Sequence, residues 1–229
     1  MQTYTYKEIK ATDQYGMSSW VFLTKQFVYK LTWFFANYTN STPNQITIIS
    51  FLFGLLAAYF FLQGTWINLI FGALSYEMSF LLDYVDGRIA RLKNMKSAFG
   101  AYLDIMSDIT EYSIIIISLV YGQYLLTNDI SIFLYGFIFM SLEMAGIIQI
   151  YAIGNTGRQS KNAADEKTHI LKSRFPTLVG LKMRIDPEDR LNYLLLTSTE
   201  AETMVFFIFP ILMQIKLGMI IGSMILFIF

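Results

Sequence analysis

Six apolar runs leave this chain few folds to choose from. They cover residues 44–63, 66–92, 98–126, 129–153, 191–214 and 217–229. Roughly 20 apolar residues of helix cross the hydrocarbon of a bilayer, and each of the first five runs reaches that length. The sixth has only 13 residues, about 20 Å of helix at 1.5 Å per residue, so either a few further residues complete it or it does not cross fully. With 55% hydrophobic and 15% charged residues, the composition is that of a polytopic membrane protein rather than a soluble domain. The expected fold is all-α and integral to the membrane: a six-transmembrane-helix bundle preceded by an interfacial amphipathic helix.

The distribution of charge tests that layout. Lys7, Lys10, Lys25 and Lys30 precede the first span. Arg88, Arg91, Lys93 and Lys96 surround the turn between the second and third. Another basic group, from Arg158 to Arg190, separates the fourth from the fifth. Of the 17 Lys and Arg in the chain, all but Lys216 fall on one side of the proposed membrane. Such an excess marks the cytoplasmic face, so both termini are expected there in a multi-pass protein. The opening residues are polar and carry Lys7, Glu8, Lys10 and Asp13, so no leader is expected and the first span should be a permanent helix. Over residues 17–37, Trp20, Phe27, Val28, Leu31, Phe34 and Phe35 recur at helical spacing among Lys25 and Lys30, as in a helix lying in the interface. The turn Ser41-Thr42-Pro43-Asn44 then opens the first span. The chain thus divides into an N-terminal cytoplasmic segment, 1–43, and one transmembrane domain, 44–229.

The chemistry concentrates between the second and third spans. Asp83, Asp86, Gly87 and Ala90 fall on one stripe of a helix, and Gly100, Asp104 and Asp108 on one stripe of the next. A short connection makes the two helices antiparallel neighbours, so the stripes can face each other near the cytoplasmic surface. A carboxylate inside a membrane helix costs roughly 2.5 to 3.5 kcal/mol, and four cost on the order of 10 kcal/mol by simple addition. Two divalent cations would offset four negative charges. With no cysteine and His169 as the one histidine, the ligands are oxygens, which suit Mg²⁺ or Mn²⁺, and Ca²⁺ as well. Gly87, Ala90 and Gly100 clear side chains from the helix faces, and Arg91 supplies a fork of donors for phosphate oxygens. Metals, an arginine and a smooth floor together suit a pyrophosphate.

The string D-x2-D-G-x2-A-R-x8-G-x3-D-x3-D, from Asp83 to Asp108, resembles the signature of the CDP-alcohol phosphotransferase family, with all fixed positions matched. The span layout, the N-terminal helix and Pro43-Asn44-Gln45-Ile46-Thr47 also resemble that family. The resemblance implies an enzyme of phospholipid biosynthesis that transfers a substituted phosphate group from a CDP-alcohol, such as CDP-diacylglycerol, to an acceptor alcohol and releases CMP. It implies that Asp83, Asp86 and Asp104 hold two divalent metals, and that Asp108 completes the metal site and takes the proton from the incoming hydroxyl. Gly87, Ala90, Arg91 and Gly100 would line the nucleotide, with Asn44 and Thr47 beside it. It further implies a homodimer among membrane lipids, with the active site facing the cytoplasm and no nucleic-acid partner.

The acceptor is less legible. The glycerophosphate branch of the family commonly has an arginine where this chain has Ser50. The serine branch has a Ser-Phe-Gly-type run where Ile109-Thr110-Glu111-Tyr112 stands, and inositol-phosphate branches often have an arginine at the place of Ile109. The stretch Phe99-Gly100-Ala101-Tyr102-Leu103-Asp104 is nearest to the inositol-type enzymes. A CDP-linked polar headgroup with a lipid acceptor is an alternative donor arrangement. Glu111 shares the stripe of Asp104 and is a candidate for the acceptor side, against a structural hydrogen bond. Glu77, Glu143, Glu200 and Glu202 read as structural, and Arg88 as an interfacial anchor. Arg158 and the basic stretch to Arg190 suit a phosphate on the acceptor, anionic lipid headgroups, or a solvated topology signal. Two other functions use the same carboxylates: a cation-coupled transporter, which favours a midplane site between broken repeats, and a hydrolase of CDP-lipids.

Overall fold

The computed structural model describes residues 3–13, 19–160 and 198–228, with side chains given through residue 148 and again over 199–227. Every element among them is helical. A short α1 (Tyr6–Lys10) leads to α2 (Ser19–Tyr38), followed by the long helices α3 (Pro43–Gln63), α4 (Trp66–Leu92), α5 (Ala98–Thr127) and α6 (Ser131–Ser160). After the basic stretch come α7 (Ser198–Thr203), a π-helical turn (Met204–Ile208), α8 (Phe209–Ile211) and α9 (Ile215–Ile228).

The helix boundaries have local causes. Thr42 and Gln45 form a reciprocal capping box with Pro43 in the first turn, which starts α3 where the sequence predicts. Gly64 ends it in the left-handed conformation, φ 67°, which glycine adopts without a Cβ penalty. Ser97 accepts from the Gly100 N–H and caps α5. The expected starts and ends of the first three spans fall within a residue of α3, α4 and α5. The fourth differs: α6 begins at Ser131, because Asp129 turns its carboxylate back to the Ser131 N–H at 3.0 Å and so stands outside the helix. It also runs on to Ser160. In the fifth, the described residues run as helix through Ile211 with a π-helical turn inside it. Its backbone widens into the π turn just after Glu202 and Thr203, and Pro210 follows with no N–H to donate. Residues 191–197 of that span, and the basic stretch from 161 to Arg190, lie outside the described residues.

Among the described residues, two helical segments, Pro43–Gln63 and Ser131–Ile148, are long and apolar enough to cross a membrane, with mean hydropathy 2.0 and 1.8. Only 39% and 22% of those windows are buried inside the protein. Their outer faces, with Leu52, Leu56, Tyr59, Phe133, Leu134 and Phe137 exposed, suit lipid rather than water. The helix α9 is apolar but shorter.

Between the helices, close approach replaces the hydrophobic drive that water would supply. Ala57, Ala58 and Phe61 of α3 sit buried with Ile115, Ile116 and Leu119 of α5. Gly122 lets α5 reach the end of α3 so closely that an added Cβ would lie 2.3 Å from the Phe61 carbonyl oxygen. Gln123 there donates to the Gly64 carbonyl at 3.0 Å. A second cluster joins Val28 and Ala36 of α2 to Ile46 of α3 and to Leu82, Val85 and Ile89 of α4. Thus α2 is clamped to the bundle by Val28, Leu31 and Phe35, while Phe27 and Phe34 stay exposed on its other side. At the end opposite the basic residues, Lys216 pairs with Asp129 at 2.6 Å.

Replacing Gly122 by Ala is expected to cost about 1–3 kcal/mol through overpacking, seen as a lower apparent melting temperature in detergent. Gly146→Ala is the control, since nothing lies within 4 Å of the added methyl. Equal stability of the two variants would contradict this account of the α3–α5 contact.

Candidate active site

Antiparallel packing of α4 and α5 brings the two acidic stripes together. Asp83 from α4 and Asp104 and Asp108 from α5 place one carboxylate oxygen each within 4.8 Å of one another, each residue half-buried. Like charges at that separation repel strongly where the dielectric is low, so the arrangement calls for a counter-ion. An oxygen-only donor set with no thiolate or imidazole fits a hard divalent cation. Asp86, buried at 6% exposure, stands outside that trio and accepts a short hydrogen bond from the Thr47 hydroxyl of α3. Thr47 therefore orients one of the four acids, a contact between residues 39 apart in sequence.

The expected nucleotide-lining residues cluster on the same end of the bundle. Asn44 and Gly100 adjoin: a Cβ on Gly100 would lie 3.0 Å from the Asn44 side-chain oxygen. The Arg91 guanidinium lies along the bare backbone of Gly87, with Nη1 3.4 Å from where a Cβ would stand. Its Nε donates to the Thr12 carbonyl at 3.0 Å. Ala90, one residue before it, is half-buried. Arg88 departs from the expected interfacial anchor. Its side chain is 3% exposed and pairs with Asp13 at 2.7 Å, because its position on α4 points it beneath α2 instead of outward. The side chain of Arg158 lies outside the described residues.

Beside the trio opens a cavity of about 120 Å³. Asp83 and Asp108 form one wall, and Ser50, Ser79, Glu111, Tyr112, Thr199 and Glu202 are among the others. Ser79 Oγ lies 2.6 Å from Glu111 Oε1 and 2.8 Å from the Ser50 carbonyl, so its one proton is shared between these two acceptors, and Ser50 Oγ donates to the Ser79 carbonyl at 2.8 Å. Gly54 makes room for Glu111, since an added Cβ would meet its Cδ at 2.2 Å. Glu202 accepts from Tyr112 at 2.6 Å and from Tyr76 at 3.3 Å. Trp20 bonds Glu77 through its indole N–H and Glu200 through its backbone N–H. Interhelical bonds of this kind in membranes average about 0.6 kcal/mol, so Glu77, Glu200 and Glu202 behave as the interhelical ties expected of them. Glu202 does more by also walling the cavity. The Glu143 Oε1 atom is buried and has no protein partner among the described residues. Sequence reasoning passed over Ser50 as a partner, Ser79, Tyr112, Thr199 and Asp13. Their roles come from contacts between distant helices, and no periodicity or motif marks them.

A family model described as CDP-alcohol phosphatidyltransferase matches residues 40–185, more than half of the chain. A bifunctional IPC transferase and DIPP synthase of Thermococcus kodakarensis is 36% identical over 67 residues, covering 29% of this chain and 15% of that protein. An archaetidylinositol phosphate synthase of Pyrococcus horikoshii is 45% identical over 64 residues, covering 28% of this chain and 32% of that one. The chain therefore spans a third or less of the length of these two curated relatives.

Gly54→Ala is expected to push Glu111 off Ser79, at a cost of about 1 kcal/mol for the lost bond. The fall in apparent melting temperature should be smaller than for Gly122→Ala, because a flexible side chain yields where backbone cannot. A structure of the variant with the Ser79–Glu111 bond intact would contradict it.

Proposed function

Because the chain belongs to the CDP-alcohol phosphatidyltransferase family, we propose that it transfers a substituted phosphate group from a CDP-alcohol to an acceptor alcohol, releasing CMP, at the Asp83–Asp104–Asp108 site. The observation that carries this is the meeting of those three carboxylates beside a polar cavity. Asp83, Asp86 and Asp104 would hold two divalent cations, Mg²⁺ or Mn²⁺, with Asp108 completing the set. When bound, such ions neutralise charge on the diphosphate and ease departure of CMP.

The protein's own groups do the rest. Gly87, Ala90 and Gly100 leave the helix faces low enough for the cytidine nucleotide to lie against them, with Asn44 and Thr47 alongside. Arg91 presents a planar fork to phosphate oxygens. Asp108 borders the cavity, so an acceptor hydroxyl there is within its reach, and Asp108 takes its proton as the oxygen attacks phosphorus. Glu111 stands in the same wall and orients the acceptor. Hydroxyls and carboxylates dominate the polar lining of the cavity, which suits the hydroxyl-bearing end of an acceptor. An inositol-type acceptor agrees with that lining and with the name of the Pyrococcus horikoshii relative. The proposed topology has six spans, with both termini and the site at the cytoplasmic face.

Crossing CDP-linked donors with candidate alcohols in a membrane fraction tests this reading. CMP release that requires an added alcohol supports it, and equal release in water alone indicates a hydrolase. Asp108→Asn is expected to lower turnover about 10²–10⁴-fold, the usual contribution of a general base, while donor binding is kept. Asp83→Ala should abolish Mn²⁺ binding as followed by electron paramagnetic resonance. Retained turnover in the first variant, or retained Mn²⁺ affinity in the second, would count against the assigned roles.

A further inference from the structure

The N-terminal segment reaches the arginine of the nucleotide half-site. Its first fastening is at Tyr4, whose backbone N–H donates to Asn37 Oδ1 at 2.7 Å and whose carbonyl accepts from Asn37 Nδ2 at 3.1 Å. The second is α1, capped by Thr5 and Glu8, with Ile9 fully buried and the Tyr6 ring edge-on to Tyr29 at 5.9 Å. Beyond α1 the chain turns through Thr12, whose N–H and hydroxyl both donate to the Ile9 carbonyl, at 3.1 Å and 2.7 Å. The turn ends on Asp13, which receives Arg88 at one carboxylate oxygen and the Tyr29 hydroxyl at the other. Burial, with the Asp13 carboxylate beside it, pushes the Tyr29 phenol up. The Arg88 guanidinium also stacks over the Tyr29 ring at 5.5 Å and donates to the Tyr84 carbonyl at 3.2 Å.

These contacts fix where the Thr12 carbonyl stands, and that carbonyl holds Arg91 Nε at 3.0 Å. Arginine carries about 2 kcal/mol of rotamer entropy. A guanidinium already tied at Nε has less freedom to lose when its terminal nitrogens grip a phosphate. Asp13 also meets a second need. Arg88 sits two residues from Asp86 on the same helix, and its buried charge must be paired. Asp13 pairs it away from the acids of the site.

We propose that residues 12 and 13 form a positioning strap, in which Asp13, pinned by Arg88 and Tyr29, holds the Thr12 carbonyl on Arg91 and so presets that arginine for the nucleotide phosphate. Asp13 is a positioning residue that acts through Arg91 and touches no substrate. The inference rests on the reading that Arg91 faces the nucleotide.

The test measures affinity for CMP in the presence of Mg²⁺, on the full chain in detergent, together with apparent melting temperature. Asp13→Asn is expected to bind CMP about tenfold more weakly, and Asp13→Glu to recover most of the loss. Arg91→Ala should weaken CMP binding by at least as much, and the Asp13→Asn, Arg91→Ala double variant should bind no more weakly than Arg91→Ala alone. Unchanged CMP affinity in Asp13→Asn, whatever its melting temperature, would overturn the strap, as would additive losses in the double variant. If Asp13→Asn does not fold, pairing it with Arg88→Met removes the stranded charge; wild-type CMP affinity in that pair overturns the proposal and a tenfold loss supports it. If Arg91→Ala binds CMP like the wild type, the nucleotide reading itself fails and the strap with it, an outcome distinct from failure of the strap alone.

Discussion

Holding like charges together inside an apolar bundle is the constraint on which this structure turns. Three carboxylate oxygens within 4.8 Å would drive α4 and α5 apart if nothing opposed them. What opposes them is packing elsewhere. The α3 helix is wedged against both, through Ile46 toward α4 and through Ala57, Ala58 and Phe61 toward α5. Gly122 and the carbonyls at the end of α3 then allow an approach that a methyl group would prevent. The acids are thus positioned by contacts that carry no charge, and a divalent cation held by them would relieve the repulsion.

Around the acids, polar groups are arranged in shells that α3, α4 and α5 supply. Thr47 steadies Asp86, Ser79 steadies Glu111, and Tyr112 and Tyr76 steady Glu202. In a medium with little water, a carboxylate without donors is costly, and each of these has at least one. The π turn follows directly on Glu202 and Thr203. Within that turn Val205 and Phe206 face the core cluster, while Glu202, just before it, lines the cavity.

The elements of the fold were legible where apolar length and capping chemistry decide them. The turn Ser41-Thr42-Pro43-Asn44 marks the start of α3, so that boundary follows from local backbone chemistry. The π turn in the fifth span was not legible. A π turn is a local change in backbone hydrogen bonding, and hydropathy, averaged over a window, does not register it. Arg88 was misread for a related reason. A basic residue near a membrane surface is usually an anchor, but burial under α2 and pairing with Asp13 depend on a chain segment 75 residues away.

By itself, the sequence determined the helical, lipid-compatible class, the order of the long helices and the residue types of the acidic site, because periodicity, span length and spacing along a helix are properties of contiguous chain. Tertiary structure alone decided which acids meet, which hydroxyls steady them, where the cavity opens and how the N-terminal turn reaches Arg91. Those outcomes depend on the distance between side chains on different helices, which is set by packing and has no trace in the local pattern.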